Sequence, residues 1–313
     1  MTIFAHLKNS IYCILKLSNP LLLKPSFFSV FLAITKARLT ISVMFSTLAG
    51  YALGVDVWDI YTFETILLLS VGGYCMVGAS NVFNQIIEKD LDKLMDRTKN
   101  RPLPAGIITK QNAFILGVLL TVLGLAILYF VNEKTALFGA ISIFMYVSLY
   151  TPLKTVTPLS VFVGAFPGAI PYMLGWVAAT GTFGIEAGTL FIIQFFWQFP
   201  HFWAIGWFLY DDYQKAGFYM LPTGKRDKKT ALQIILYSIW TIVASLLPVL
   251  GFTGKFQISI YTAVLVFILG LWMLFYAFRL YNKMHTNAAR KLMLVSVSYI
   301  TLLQIIYVID KFI

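Results

Sequence analysis

The stretch TFETILLLSVGGYCMVGASNVFNQIIEKDLDKLMDRTKNRPLP, residues 62–104, contains the two features that decide the fold. Its first 26 residues, up to Ile87, carry a single charged residue, Glu64. A run of this length and character can cross a bilayer as one helix. The fourteen residues from Glu88 to Arg101 then carry nine charges. An apolar helix that ends in so dense a charged segment predicts a membrane span with polar chemistry at its boundary.

The rest of the chain repeats this apolar pattern. Of its 313 residues, 59% are hydrophobic and only 12% are charged, about half the charged fraction of a typical soluble domain. A backbone in lipid must satisfy its own hydrogen bonds, which predicts helices and no sheet. The sequence therefore predicts an all-α polytopic membrane protein with nine transmembrane helices. The predicted segments are 38–55, 62–87, 111–131, 135–152, 156–179, 187–208, 230–251, 256–278 and 291–310.

The distribution of basic residues predicts the orientation. If the N-terminus is cytoplasmic, 21 of the 24 Lys and Arg residues fall on the cytoplasmic side, leaving Lys134, Lys255 and Lys311 outside. This asymmetry is the positive-inside pattern. The net charge of +11 therefore reflects membrane topology rather than a nucleic-acid partner. We expect an integral protein of a bacterial inner membrane, with its C-terminus outside.

The N-terminal segment, residues 1–34, is predicted to be cytoplasmic or interfacial. Its first 26 residues lack the compact apolar stretch and small-residue cleavage site of a signal peptide. Residues 35–313 are predicted to form a single transmembrane domain. Cys13 and Cys75 stand alone without metal-ligand spacing and are predicted to be packing residues.

Two cytoplasmic loops, residues 88–110 and 209–229, are longer and more polar than the others. They end alike, in RPLPAG and YMLPTG, and each follows a predicted helix of the same direction. One interpretation is a parallel internal repeat of four helices; the other is chance similarity. A repeat would place the two loops facing each other over a central cavity.

Four polar residues at the end of the second predicted helix and in the first loop, Asn84, Glu88, Asp92 and Asp96, follow one another at intervals of four. On a helix, this spacing places them on one slowly drifting face. Like charges at this spacing destabilise a helix, so cationic groups are expected between them.

Two sources of positive charge could neutralise these acids. In the first, the acids form a solvated helix end and are neutralised by Lys89, Lys93 and Arg97. In the second, they bind Mg²⁺, which takes hard oxygen ligands and shares its coordination with substrate phosphates. The second alternative implies a diphosphate substrate.

Several basic residues could contact a diphosphate. They are Lys36 and Arg38 at the start of the first predicted helix, Arg97, Lys99 and Arg101 behind the acids, and Lys154 with Tyr150 in a Y-x-x-x-K pattern. Each could instead be an anchor that extends its charged end to the membrane interface.

The second loop and the helix before it read FWQFPHFWAIGWFLYDDYQKAGFYMLP, residues 196–222. Its polar candidates are Gln198, His201, Asp211, Asp212 and Lys215. A single histidine among aromatic residues more often packs than binds a ligand. The aromatic residues could belong to an interfacial belt, line an apolar tunnel, or face a developing cation.

These motifs together resemble a known family. N-x-x-x-E-x-x-x-D followed by DRTKNRP resembles the first acidic motif of the UbiA-type intramembrane prenyltransferases. WQFPHFW, DDYQKAGFYMLP and Y-x-x-x-K are similar to the haem O synthase branch, and the resemblance covers about residues 35–305. The chain departs from the family pattern at Glu88, where many relatives have Asp, and at Ala37, where Pro is expected. The second loop also lacks D-x-x-x-D.

The resemblance implies nine helices around a central cavity open to the cytoplasmic side, with farnesyl diphosphate and haem b as substrates. It implies Mg²⁺ on Asn84, Glu88 and Asp92, with Lys154 also catalytic. The implied substrate contacts are Lys36, Arg38, Asp96, Arg97, Lys99, Arg101, Tyr150, Gln198, His201, Asp211, Asp212 and Lys215. Membrane lipid and a haem A synthase or oxidase assembly factor are the expected partners.

Two other functions compete with this one. A UbiA-type enzyme could act on a quinone precursor or another aromatic acceptor. A membrane transporter is the alternative from another class, but transporters place ionisable sites near the bilayer midplane. Here the predicted helix centres are nearly free of charge.

Overall fold

The computed structural model describes residues 26–313, and all regular secondary structure within that range is helical. The helices are α1 (Phe27–Ile34), α2 (Ala37–Gly54), α3 (Ile60–Ile87), α4 (Lys89–Asp92), α5 (Lys110–Val131), α6 (Glu133–Leu153), α7 (Ser160–Thr180), α8 (Ile185–Phe208), α9 (Tyr210–Lys215), α10 (Lys228–Leu250), α11 (Ile260–Lys283) and α12 (Thr286–Lys311). Most of the predicted N-terminal segment, with Cys13, lies outside the described residues.

Seven of the described helices are long and apolar enough to cross a membrane, and the bent pair α1–α2 raises this number to eight. The seven are α3, α5, α6, α7, α10, α11 and α12. Helix α8 has 24 residues, but Gln194, Gln198 and His201 lower its mean hydropathy. The all-α membrane fold is therefore confirmed, and the number nine stays a prediction.

The helices form a bundle in which α3 packs on α5, and α2 packs on both α3 and α7. Helix α8 contacts α7, α10 and α12, and α12 returns to α2. Glycines allow the closest contact: a Cβ added at Gly175 of α7 would lie 1.9 Å from the carbonyl oxygen of Thr47 on α2. Small residues that bring backbones together in this way are typical of packing between membrane helices.

The outer surface of the bundle is apolar. Large side chains such as Leu119, Val122 and Phe130 on α5 are more than half exposed. So extensive an apolar surface indicates contact with lipid, because soluble monomers keep such patches small. Cys75 is buried, in agreement with its predicted packing role.

The end of α3 differs from the sequence prediction of one continuous helical face. Helix α3 stops at Ile87 and α4 stops at Asp92. The hydroxyl of Thr98 donates to the carbonyl of Asp92 at 2.7 Å. The carboxylate of Asp212 accepts from the backbone N–H of Asp96 at 2.8 Å. These side chains satisfy backbone groups that a longer helix would have used, and Asp96 therefore leaves the face that carries the other acids.

Candidate active site

A cavity of about 490 Å³ extends into the bundle from the end of α3. Its volume is within the usual range for small-molecule sites. Ten of the predicted site residues line it: Lys36, Asn84, Glu88, Asp92, Arg97, Arg101, Tyr150, Lys154, Gln198 and His201. The first loop, the α6–α7 connection and α8 therefore meet at one cavity, although they are far apart in sequence.

Six predicted residues do not line this cavity. They are Arg38, Asp96, Lys99, Asp211, Asp212 and Lys215. Arg38 is exposed on α2, and the other five lie in or beside contacts between the two loops. Their assignment to direct substrate contact stays a prediction.

Two buried carboxylates at the cavity are each paired with a base from another segment. Nζ of Lys154 lies 2.7 Å from Oε1 of Glu88. Nη1 of Arg101 lies 2.9 and 2.7 Å from the two carboxylate oxygens of Asp92. Glu88 is 4% exposed and Asp92 is fully buried, so neither charge could remain there without its partner.

The third oxygen group at the cavity belongs to the side-chain amide of Asn84. Its Oδ1 accepts from Nζ of Lys36 at 3.1 Å, and its Nδ2 donates to the hydroxyl of Thr151 at 3.4 Å. Lys36 occupies the turn between α1 and α2 with φ of 50° and ψ of 54°. This left-handed conformation is uncommon for a residue other than glycine and is often found at functional sites.

Lys154 follows the end of α6 and is almost fully buried. Burial alone opposes its charge, but the nearby Glu88 carboxylate and the Tyr150 hydroxyl raise the pKa of Lys154 above its ordinary value. Nζ also lies 4.4 Å from the ring centroid of Tyr150. Tyr150 ends a π-helical turn, Met145–Tyr150, a feature frequent at functional sites. The Glu88 carboxylate therefore favours the charged form of Lys154.

The two long loops contact each other beside the cavity. Besides Asp212, Lys215 of the second loop pairs with Asp96 of the first. Hydrogen bonds from Lys215 and Lys99 lower the pKa of Asp96 to about 2, and the Asp96 contact raises the pKa of Lys215. The two loops are thus in contact, whereas the internal repeat and its arrangement over a central cavity stay predictions.

Asp211, the other predicted site acid of the second loop, has a different partner. Its carboxylate oxygens lie 3.2 and 3.0 Å from the two terminal nitrogens of Arg226. Arg226 also donates through Nε to the carbonyl of Trp207 at 2.7 Å. Asp211 therefore fixes the route of the second loop, a role that the sequence analysis did not assign to it.

His201 also lines the cavity and has an aromatic setting. The ring of Trp197 stacks on it, with centroids 4.8 Å apart and an angle of 18° between the planes. Nδ1 of His201 lies 2.9 Å from the hydroxyl oxygen of Ser296 on α12. No sequence pattern pointed to Ser296, because it comes from a helix 95 residues further along the chain.

A buried polar cluster, formed by Ser46, Gln194 and Gln304, also lines the cavity. Nε2 of Gln304 lies 3.1 Å from the hydroxyl of Ser46 and 3.3 Å from Oε1 of Gln194. Sequence analysis missed all three. Gln194 carried a usable signal, because it precedes Gln198 by four residues and shares its face of α8.

The oxygen groups of Asn84, Glu88 and Asp92 can be tested against the needs of Mg²⁺. Among residues 26–313, no three carboxylate, histidine or cysteine groups lie close enough to hold a metal by themselves. Mg²⁺ is usually held by one or two carboxylates, with substrate phosphates and water completing its octahedron. Two carboxylates and an amide at one cavity fit a magnesium ion that binds together with a diphosphate.

Comparison with known proteins gives the family. The model of the UbiA prenyltransferase family matches residues 43–300. The chain belongs to the UbiA prenyltransferase family, as its acidic motif predicted. A protein named protoheme IX farnesyltransferase from Flavobacterium johnsoniae is 68% identical over 287 residues, covering 92% of this chain and 96% of that protein. One of the same name from Deinococcus radiodurans is 35% identical, covering 90% and 92%.

Solved structures share the fold. A structure described as digeranylgeranylglyceryl phosphate synthase has a TM-score of 0.74 at 17% identity, covering 90% of this chain and 98% of that one. A UbiA homolog from Archaeoglobus fulgidus, bound to GPP and Mg²⁺, has a TM-score of 0.66 at 15% identity, covering 89% and 99%. At these identities the likeness concerns the fold.

Proposed function

We propose that this chain transfers the farnesyl group of farnesyl diphosphate to a vinyl group of haem b, giving haem O for the assembly of haem-copper oxidases. The observation that carries the proposal is the set of three buried oxygen groups, each hydrogen-bonded to a different basic side chain, at one cavity with an aromatic wall. The names of the relatives support farnesyl and protohaem as the two substrates.

The paired residues suit the binding of a diphosphate. Without substrate, Lys36, Arg101 and Lys154 satisfy Asn84, Asp92 and Glu88. An incoming diphosphate offers these cations stronger acceptors and releases the three oxygen groups to bind metal. The donors then face the leaving oxygens, where negative charge develops as the allylic carbon–oxygen bond breaks.

Mg²⁺ is the proposed cofactor, and Asn84, Glu88 and Asp92 are the residues that would hold it. When bound, it supplies neutralisation of charge on the leaving diphosphate. Glu88 is one methylene longer than the Asp expected from the family pattern. With this longer side chain, Oε1 of Glu88 lies 2.7 Å from Nζ of Lys154.

The aromatic residues have a separate role in the proposal. Tyr146 and Tyr150 line the cavity beside Lys154. Their aromatic rings can attract and stabilise the allylic cation while it exists. The farnesyl cation is then attacked by the haem vinyl group. Water adds to the resulting cation and loses a proton, which completes the hydroxyethylfarnesyl side chain. Gln198 and His201 are proposed to contact the haem.

The proposal includes the membrane arrangement. It places nine spanning segments in the bacterial inner membrane, with α8 as the ninth, and opens the cavity to the cytoplasm. The excess of Lys and Arg in the loops that flank the cavity supports this orientation. Farnesyl diphosphate is drawn from the lipid, and a haem A synthase or oxidase assembly factor is the proposed protein partner.

An acceptor competition tests the proposal. The purified full chain in lipid nanodiscs is given farnesyl diphosphate, Mg²⁺ and equal concentrations of haem b and 4-hydroxybenzoate, a quinone precursor. We expect mass spectrometry to find the farnesyl group on haem alone. Farnesylated hydroxybenzoate as the main product would overturn the haem assignment and support the quinone-precursor alternative.

A further inference from the structure

The ring of His201 is held on three sides. Trp197 stacks on one face, and Nε1 of Trp197 donates to the backbone carbonyl of Ser296 at 2.6 Å. Phe202 packs edge-on, with its centroid 5.3 Å from that of His201. Nδ1 contacts the Ser296 hydroxyl at 2.9 Å. Rotation of the imidazole is therefore restricted, and its orientation is defined by groups on α8 and α12.

Ser296 makes a second hydrogen bond, and this bond determines whether His201 or Ser296 donates the proton between them. The hydroxyl oxygen of Ser296 also lies 2.7 Å from the backbone carbonyl of Met293, and a carbonyl can only accept. The single hydroxyl proton is thus donated to Met293, so the hydroxyl oxygen accepts from His201. We assign the proton of the neutral imidazole to Nδ1, which leaves an unprotonated lone pair on Nε2.

The free edge of the ring faces the cavity. His201 lines the cavity, whereas Ser296 is fully buried behind it and does not. Among residues 26–313, the hydrogen bond of the ring to a side chain is the one at Nδ1, and the backbone carbonyl of Met293 also lies close to the ring. A neutral imidazole that donates from one nitrogen and offers the other is the usual arrangement of a histidine bound to a transition metal. Here the cavity wall presents such a ligand without a carboxylate beside it.

We propose that Ser296 is a positioning residue that fixes the tautomer of His201 and so directs the Nε2 lone pair to the iron of the haem acceptor. This inference rests on the proposed function. The iron of the haem is then bound at the part of the cavity formed by α8 and α12. Asn84, Glu88 and Asp92, with the diphosphate, lie at the end of α3 and α4. The porphyrin thereby lies between the two, with a vinyl group toward the allylic carbon.

The test compares haem b with iron-free protoporphyrin IX, which has the same periphery and lacks the metal. Each is titrated into the purified full chain and followed by absorbance. We expect tighter binding of haem than of protoporphyrin and a shifted Soret band. His201→Ala should abolish the preference for haem, and added imidazole should restore the shifted band. Ser296→Ala should reduce the preference about 10- to 100-fold, as losses behind a metal ligand do.

Two control variants separate this role from structural damage. Ser296→Thr keeps a hydroxyl and should keep the preference for haem. Ser298→Ala removes another hydroxyl of α12, which bonds only the carbonyl of Leu294 at 3.2 Å, and should change nothing. Binding of farnesyl diphosphate should be equal in all variants. A loss of haem and protoporphyrin binding by the same factor in His201→Ala would overturn the iron contact.

The other outcomes are equally distinct. If Ser296→Ala keeps the full preference for haem while His201→Ala loses it, Ser296 has no positioning role and the inference fails. If the unmutated chain binds neither porphyrin, the proposed function itself fails. Haem and protoporphyrin binding of equal strength in the unmutated chain would leave the function standing and refute the iron contact.

Discussion

Replacing Lys154 by Met tests the energetics of the site most sharply. Lys154 is 8% exposed, its partner Glu88 is 4% exposed, and the charged atoms are 2.7 Å apart. Removal of one member of a buried ion pair leaves the other charge without compensation and costs about 3–5 kcal/mol. The surface pair of Lys110 and Asp90, with 3.9 Å between charged atoms, supplies the matched control. Lys110→Met should cost about 0–1 kcal/mol.

The assay is a double-mutant cycle with two readouts. Unfolding in denaturant gives the free energy for the parent, Lys154→Met, Glu88→Gln and the double variant. We expect the double variant to be more stable than the sum of the single losses predicts, by about 1–3 kcal/mol of coupling, because the neutral pair leaves no unpaired charge. Prenyl transfer should not recover together with stability. The double variant lacks both Lys154, the proposed diphosphate contact, and the carboxylate of Glu88, the proposed metal ligand.

Two results would refute this reasoning. Equal losses of stability in Lys154→Met and Lys110→Met would show that the Glu88–Lys154 contact has no energetic importance. Recovery of prenyl transfer in the double variant would show that the pair acts only in folding. The catalytic assignment of both residues would then be wrong.

Three further predictions concern the metal ligands, the packing and the topology. Asp92→Asn should lower prenyl transfer about a hundredfold or more, through loss of about 3 kcal/mol of transition-state stabilisation. It should also lower the free energy of unfolding, because Arg101 loses its buried charged partner, so turnover is compared in protein shown to be folded; near-normal turnover at saturating Mg²⁺ would exclude Asp92 as a ligand. Gly175→Ala should destabilise the bundle by about 1–3 kcal/mol, because its Cβ would lie 1.9 Å from a backbone oxygen, whereas Gly188→Ala, with open space around it, should not. Cysteine at Arg97 should resist an impermeant thiol reagent on intact cells while cysteine at Glu186 reacts; labelling at 97 would invert the topology.

The helices were largely predictable from the sequence because their signal is local. Residues 111–131 were predicted to span, and α5 runs Lys110–Val131. Unbroken apolar runs with polar ends define such segments without any tertiary information. The same rule is weaker at α8, where polar side chains face a cavity and lower the mean hydropathy. The family was also predictable, since the acidic motif and WQFPHFW are contiguous in sequence.

The partners within the site were less predictable. Glu88 and Lys154 are 66 residues apart, and only the fold brings their side chains together. The stop of α4 at Asp92 depends on Asp212 in the second loop, so periodicity alone extended the helix too far. Ser296 carries no sequence signal at all. Long-range hydrogen bonds of this kind follow from tertiary packing and cannot be derived from residue spacing.

The central claim is that Asn84, Glu88 and Asp92 promote the farnesylation of haem. One measurement tests it most directly. Membranes containing the full chain are supplied with haem b, farnesyl diphosphate and Mg²⁺, and the mass of the haem product is determined. We predict haem that has gained one farnesyl group and one hydroxyl group, with at least about a hundredfold less product formed by Asp92→Asn and a comparable loss in excess EDTA. Haem that stays unmodified in membranes containing well-folded protein would contradict the claim. Product that still forms normally both in Asp92→Asn and in excess EDTA would contradict it as well.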